Sequence, residues 1–163
     1  VRHHGVKPAH FLHETHDLPG LEQHVSGHRH DFAALRRLPG RKFILTNAPR
    51  AYALRVLGGL GVLHLFDGVI AIEDMAMFGE LRPKPDARML RSMAVRLGVL
   101  PQRCVLVEDT LVHQKAARRV GMGTVWMQRF ARRPSPGLLA QPNCTMKPAY
   151  VDRRVRTLAA LRR

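Results

Sequence analysis

Apolar residues along this chain fall into short runs separated by helical stretches, and the alternation is clearest between residues 31 and 130. Asp31-Phe32-Ala33-Ala34-Leu35-Arg36-Arg37-Leu38 reads as a short helix with Asp31 as N-cap, stopped by Pro39-Gly40. Lys42-Phe43-Ile44-Leu45-Thr46 then reads as a buried strand. Asn47-Ala48-Pro49 turns the chain into a helix over about 50–60, ended by Gly58, Gly59 and Gly61. A turn and second strand follow within Leu65–Ile72, and residues 73–84 read as a loop. Pro85 suits the first turn of a helix whose Met89, Leu90, Met93, Ala94 and Leu97 share one face, with Gly98 as its end. Arg103–Val107 predicts a third strand with Cys104 in the core. A helix to about Val120, closed by Gly121, leads to a fourth strand at Thr124–Met127. After Arg129 the pattern fades through Pro134, Pro136, Pro142 and Pro148. Tyr150-Val151 is a candidate edge strand and 152–161 a terminal helix.

Strands alternating with helices of this length imply βαβ units and a parallel α/β sheet. In such sheets ligands bind at the carboxyl ends of the strands. Thr46, Asn47, Glu108 and Asp109 all sit at such ends and are expected on one rim. Thr46 offers a hydroxyl, and the turn after it offers backbone N–H groups; both suit a phosphoryl oxygen. Lys84 adds a compact positive charge. Glu108-Asp109 supplies hard carboxylate oxygens of the kind Mg²⁺ takes. Taken one at a time, these are also ordinary residues: a strand end, a loop lysine, and acids favouring a helix dipole. Their order, each at a strand or helix end, points to phosphoryl chemistry.

The run from about Arg41 to Phe130 resembles the haloacid dehalogenase-like (HAD) phosphohydrolases, and within them the bacterial pyrimidine 5′-nucleotidases. The resemblance rests on Ile44-Leu45-Thr46-Asn47-Ala48, Leu65-Phe66-Asp67-Gly68-Val69, Arg82-Pro83-Lys84-Pro85-Asp86 and Val107-Glu108-Asp109-Thr110. Ala116-Ala117-Arg118-Arg119-Val120-Gly121-Met122 and Thr124-Val125-Trp126 extend it. It implies a Rossmann-like parallel sheet of HAD type and a Mg²⁺-dependent phosphatase acting on a nucleoside 5′-monophosphate. By resemblance Thr46 binds the transferring phosphoryl group, Lys84 stabilises its charge, and Glu108 and Asp109 hold Mg²⁺. It also implies a layout of a partial helical cap (1–30), an α/β core (31–130) and a basic C-terminal segment (131–163).

The sequence departs from that pattern twice. It contains no Asp-x-Asp, the motif that ends the family's first, central strand and supplies the nucleophile. The expectation is therefore a sheet lacking that strand and a chain impaired or inactive on its own. A complementing segment or a second copy could complete it by strand addition. His113 also stands where the resemblance leads one to expect Asn or Asp.

Charge opens a second reading. Lys+Arg of 27 against Asp+Glu of 12 gives +15, and residues 129–163 carry eight Arg and one Lys against Asp152 alone, or +8. Such a tail could hold nucleotides or nucleic acid without hydrolysis. Because the regular aromatic interleaving of a stacking platform is missing, a solvated basic face is the preferred interpretation. Eight of the ten histidines lie in residues 1–30, which read as one or two short helices. His10, His13 and His16, and His24 and His28, have spacings at which helical neighbours could share a metal, but exposed surface histidines are the simpler reading. Cys104 and Cys144, far apart and outside any Cys-x-x-Cys, argue for a reducing compartment. With no apolar run approaching ~20 residues, a cytoplasmic location without a membrane span is expected.

Overall fold

A computed structural model describes residues 14–129 and 146–162. The described residues fall into two compact units that divide between Pro83 and Lys84. His10, His13, Pro134, Pro136, Pro142 and Cys144 lie outside the described residues. No helix among those described is long and apolar enough to cross a membrane.

The first unit begins with α1 (Leu21–His24) and α2 (Arg29–Arg37). Asp31 does not cap α2. It sits in the first turn, and His28 occupies the cap position without a side-chain bond. The helix starts earlier than its apolar face suggests, because the Asp31 and Phe32 N–H groups already donate to His28 O. His24 ends α1 and His28 precedes α2, so the two never share a helical face. His16 instead packs edge-on to Tyr52, with centroids 4.8 Å apart.

Strand β1 (Phe43–Leu45) pairs in parallel with β2 (Gly68–Ile70), in register Phe43↔Gly68 to Leu45↔Ile70. Both strands are half-buried rather than fully buried. Between them runs α3 (Arg50–Gly59), which ends as its glycines predict: Gly61 has φ +66°. Gly59 is required for a second reason. A Cβ there would stand 2.8 Å from Val25 Cγ2 and 3.2 Å from the Glu22 Cα, so α1 rests on bare backbone. Arg55 Nε and Nη2 reach across to Glu22 at 2.6 and 3.1 Å.

The stretch 73–84 is not a plain loop. A 3₁₀ turn at Ile72–Met75 buries Ile72 and Met75. A two-residue hairpin follows, β3 (Ala76–Met77) against β4 (Glu80–Leu81). Phe78 (φ 52°) and Gly79 (φ 77°) form its tip, the paired positive φ values of a type I′ turn. Sequence alone hides this hairpin because Phe rarely takes that conformation.

The second unit opens with α4 (Ala87–Arg96). Asp86, not Pro85, starts it: its Oδ1 accepts from the N–H of Arg88 at 2.7 Å and of Met89 at 3.1 Å. A cap of this kind is worth about 1 kcal/mol. Met89, Leu90, Met93 and Ala94 are buried, as their spacing predicts, while Leu97, expected on the same face, is the half-buried C-cap. Strands β5 (Val105–Glu108), β6 (Gly123–Met127) and β7 (Arg153–Val155) form a parallel sheet in the order β5-β6-β7. Helix α5 (Leu111–Arg119) connects the first two. Parallel strands with an intervening helix are the α/β architecture read from the sequence.

Three expectations in this unit need correction. Cys104 lies before β5 and is only half-buried, because a 3₁₀ turn at Pro101–Arg103 takes up the chain and delays the strand. The edge strand is Arg153–Val155, not Tyr150-Val151. Asp152 fixes this register: its Oδ2 accepts from Thr124 N at 2.9 Å, its N–H donates to Thr124 Oγ1 at 3.0 Å, and its Oδ1 meets Arg118 at 2.8 Å. The terminal helix is a 3₁₀ segment confined to Leu158–Arg162.

Candidate functional site

In the first unit, the turn that follows β1 is stitched to β2 and to the segment that follows it. The Thr46 N–H donates to Ile70 O at 3.0 Å, and the Ile72 N–H to Ala48 O at 3.3 Å. Arg50 adds three ties. Its backbone N–H meets both oxygens of Glu73 at 3.0 and 3.1 Å, its Nη1 donates to Val69 O at 2.8 Å, and its Nη2 pairs with Asp74. Thr46 Oγ1 accepts from the Ala48 N–H at 3.1 Å and keeps its own hydrogen to give. The turn therefore offers fewer backbone donors than its sequence suggests. The Ala48 N–H is used internally, the Arg50 N–H is used by Glu73, and Pro49 has none.

In the second unit, Lys84 and Glu108 form a buried pair. Nζ donates to Oε2 at 2.6 Å, and the side chains are 10% and 11% exposed. Glu108 ends β5, so the parallel strand delivers the carboxylate to its carboxyl end. The other oxygen, Oε1, accepts from the N–H groups of Asp109 and Thr110 at 3.2 and 3.3 Å. Both oxygens of Glu108 are thus engaged. Asp109 Oδ1 accepts from the Thr110 hydroxyl at 3.1 Å.

The two acids are driven apart electrostatically. Burial alone would push the Glu108 carboxyl up. Its hydrogen bond with Asp109 and the Lys84 ammonium outweigh that and hold it at about 2. Asp109 is raised, first by its hydrogen bond with Glu108 and then by burial. His113 brings Nδ1 to 3.2 Å from Glu108 Oε2, yet this buried nitrogen makes no aligned hydrogen bond. Its electrostatic influence nonetheless adds to that of Lys84 in holding the Glu108 carboxyl low.

Two side chains to which the sequence gives no site role hold the backbone of the acid pair. Gln114 Nε2 donates to Glu108 O at 2.8 Å and to Val125 O at 2.6 Å. Trp126 Nε1 donates to Asp109 O at 2.9 Å. The signal for Gln114 was a polar residue on the helix face it shares with Ala117, both fully buried. Arg50 gave no comparable signal, since its partners lie 19 to 24 residues away.

Among the described residues no group of three or more His, Cys, Asp or Glu is arranged so that it could hold a metal ion by itself. The donor chemistry nonetheless suits a hard cation in part. Asp109 is a carboxylate crowded by a second one, a strain that a divalent ion relieves. The structure brings Lys84, Glu108 and Asp109 together. Thr46 and Asn47 belong to the other unit, at the carboxyl end of its own parallel pair.

A family model described as haloacid dehalogenase-like hydrolase matches residues 10–121. The fructose-1-phosphate phosphatase YqaB of Escherichia coli is 38% identical over 80 residues, which is 49% of this chain and 40% of that protein. A plasmid-encoded phosphoglycolate phosphatase of Cupriavidus necator is 33% identical over 105 residues, 64% of this chain and 40% of that protein. The chain thus spans 40% of the length of each. Among solved structures, a HAD phosphatase from Thermococcus onnurineus superposes with a TM-score of 0.58 at 30% identity, covering 81% of this chain and 53% of that one. Since the matched residues 10–121 make up well over half of the sequence, this chain belongs to the haloacid dehalogenase-like hydrolases.

Proposed function

We propose that this chain carries the phosphoryl-handling and cation-handling parts of a Mg²⁺-dependent phosphohydrolase acting on small phosphomonoesters. The observation that supports this most is the buried Lys84–Glu108 pair with Asp109 beside it, at the carboxyl end of a parallel strand. Lys84 is held with its charge fixed, ready to stabilise a phosphoryl oxygen. Because both Glu108 oxygens are engaged, Glu108 orients Lys84 and Asp109 is the carboxylate that meets the cation. A bound Mg²⁺ would neutralise phosphate charge. In the first unit, Thr46 donates its hydroxyl hydrogen to a phosphoryl oxygen from a turn fixed by Arg50, with Asn47 next to it.

The 163 residues contain no Asp-x-Asp, the motif that the resemblance makes the source of the attacking carboxylate, so the chain by itself is expected to bind without turnover. The nucleotide substrate implied by the resemblance competes here with the sugar phosphate and phosphoglycolate that name the relatives. One assay addresses both points. Binding and phosphate release are measured with uridine 5′-monophosphate, fructose 1-phosphate and phosphoglycolate, with and without Mg²⁺, on the chain and on Asp109→Asn. The expected outcome is Mg²⁺-dependent binding of one of the three, lost in Asp109→Asn, without release. Binding of none by folded protein would overturn the phosphate reading. Release by the chain alone would overturn the inference about the nucleophile. Binding that collapses between low and physiological salt, whatever the ester, would instead assign the affinity to the basic tail.

A further inference from the structure

Two consecutive carbonyls, those of Glu108 and Asp109, both accept from buried side chains further along the chain. Gln114 is 0% exposed, and its Nε2 hydrogens are both spent, one on Glu108 O and one on Val125 O. Trp126 is 6% exposed and gives its one side-chain N–H to Asp109 O. Between them they fix the peptide planes 108–109 and 109–110.

Packing does not explain Gln114. Its Oε1 is buried and makes no hydrogen bond, so an amide sits where an apolar side chain would be cheaper. Its buried neighbours on the helix, Ala116 and Ala117, are apolar. What the amide provides is two donors that tie the end of β5 to β6 across the start of α5. The direction of the Glu108 and Asp109 carboxylates follows from those peptide planes, as does the line of the Asp109 and Thr110 N–H groups toward Glu108 Oε1.

We infer that Gln114 and Trp126 are positioning residues that set the acid pair for Lys84 and for a divalent cation. The cation half of this inference rests on the function proposed above; the backbone half does not. Gln114→Met keeps length and volume while removing both donors, and Trp126→Phe keeps the ring while removing its N–H. Amide hydrogen exchange is measured on the full chain without metal. In either variant, exchange at Asp109 and Thr110 should accelerate while amides in α4 stay as they are. Unchanged exchange at Asp109 and Thr110 in a folded variant overturns the inference; should Gln114→Met not fold, Trp126→Phe decides.

The second readout is Mg²⁺ affinity, followed through Trp126, the single tryptophan of the chain. Gln114→Met should weaken it about tenfold or more, the scale for lost partners behind metal-binding groups. Equal affinity in wild type and Gln114→Met overturns the cation half. Should the wild type give no Mg²⁺ response, the proposed function loses its cation, and the exchange rates still judge the clamp.

Discussion

Replacing Lys84 by Met should destabilise the protein by about 3–5 kcal/mol at pH 7, the cost of leaving a buried carboxylate without its partner. The Lys84 and Glu108 side chains are 10% and 11% exposed, so water cannot take over the role of the missing ammonium. The double variant Lys84→Met/Glu108→Gln should recover most of the loss, because no buried charge remains to be compensated. Acid should narrow the difference. The Glu108 carboxyl titrates at about 2 in the folded protein against an ordinary 4.5. Its contribution is therefore complete above pH 4.5 and is lost as the pH falls toward 2. The shift corresponds to roughly 3 kcal/mol. Asp109 is raised and acts in the opposite sense, so it offsets part of that loss. Urea unfolding of wild type, single and double variants at pH 7 and pH 3 checks this. A single variant as stable as wild type at pH 7 would show that the pair is not buried in solution.

Met89→Ala should cost about 2–5 kcal/mol, since a fully buried side chain leaves a cavity that its neighbours fill only in part. Met89 is 0% exposed and lies with Leu90, Met93 and Ala94 on the buried face of α4. The same helix carries the Asp86 cap two residues after Lys84, so loosening it also loosens the approach to the ion pair. Val95 is the internal control. It is 72% exposed on the same helix, and Val95→Ala should stay within about 0.5 kcal/mol of wild type. Denaturant midpoints for the two variants, compared at equal m, separate them. Equal losses in both would mean that the buried face is not the one described.

Regular periodicity made the scaffold legible. The 3.6-residue spacing of Met89, Leu90, Met93 and Ala94 and the glycines at 61, 98 and 121 located helices and their ends, because burial and positive φ leave marks on composition. Thr46, Lys84, Glu108 and Asp109 were legible as polar residue types at element ends, and the structure brings the last three together. How their contacts are shared was not legible. That Glu108 is occupied by Lys84 and two N–H groups depends on distances no spacing encodes. Gln114 and Trp126 were hidden for the same reason: their acceptors are backbone carbonyls, which carry no sequence. The Phe78-Gly79 tip escaped because a conformation unusual for Phe overrode its preference. The β7 register escaped because one acid, Asp152, decided it through Thr124 rather than through an apolar run.

The ties around Thr46 also have an order in time. Every partner named for that turn, from Val69 and Ile70 through Ile72 to Glu73 and Asp74, lies before residue 75. A ribosome adding about 5–20 residues per second has therefore made the whole set before it reaches Lys84. The grip on Glu108 and Asp109 closes only once Trp126 has been added. Synthesis thus delivers a complete first turn to the nascent chain well before the second unit has its acids, and each cluster can assemble from residues already in hand.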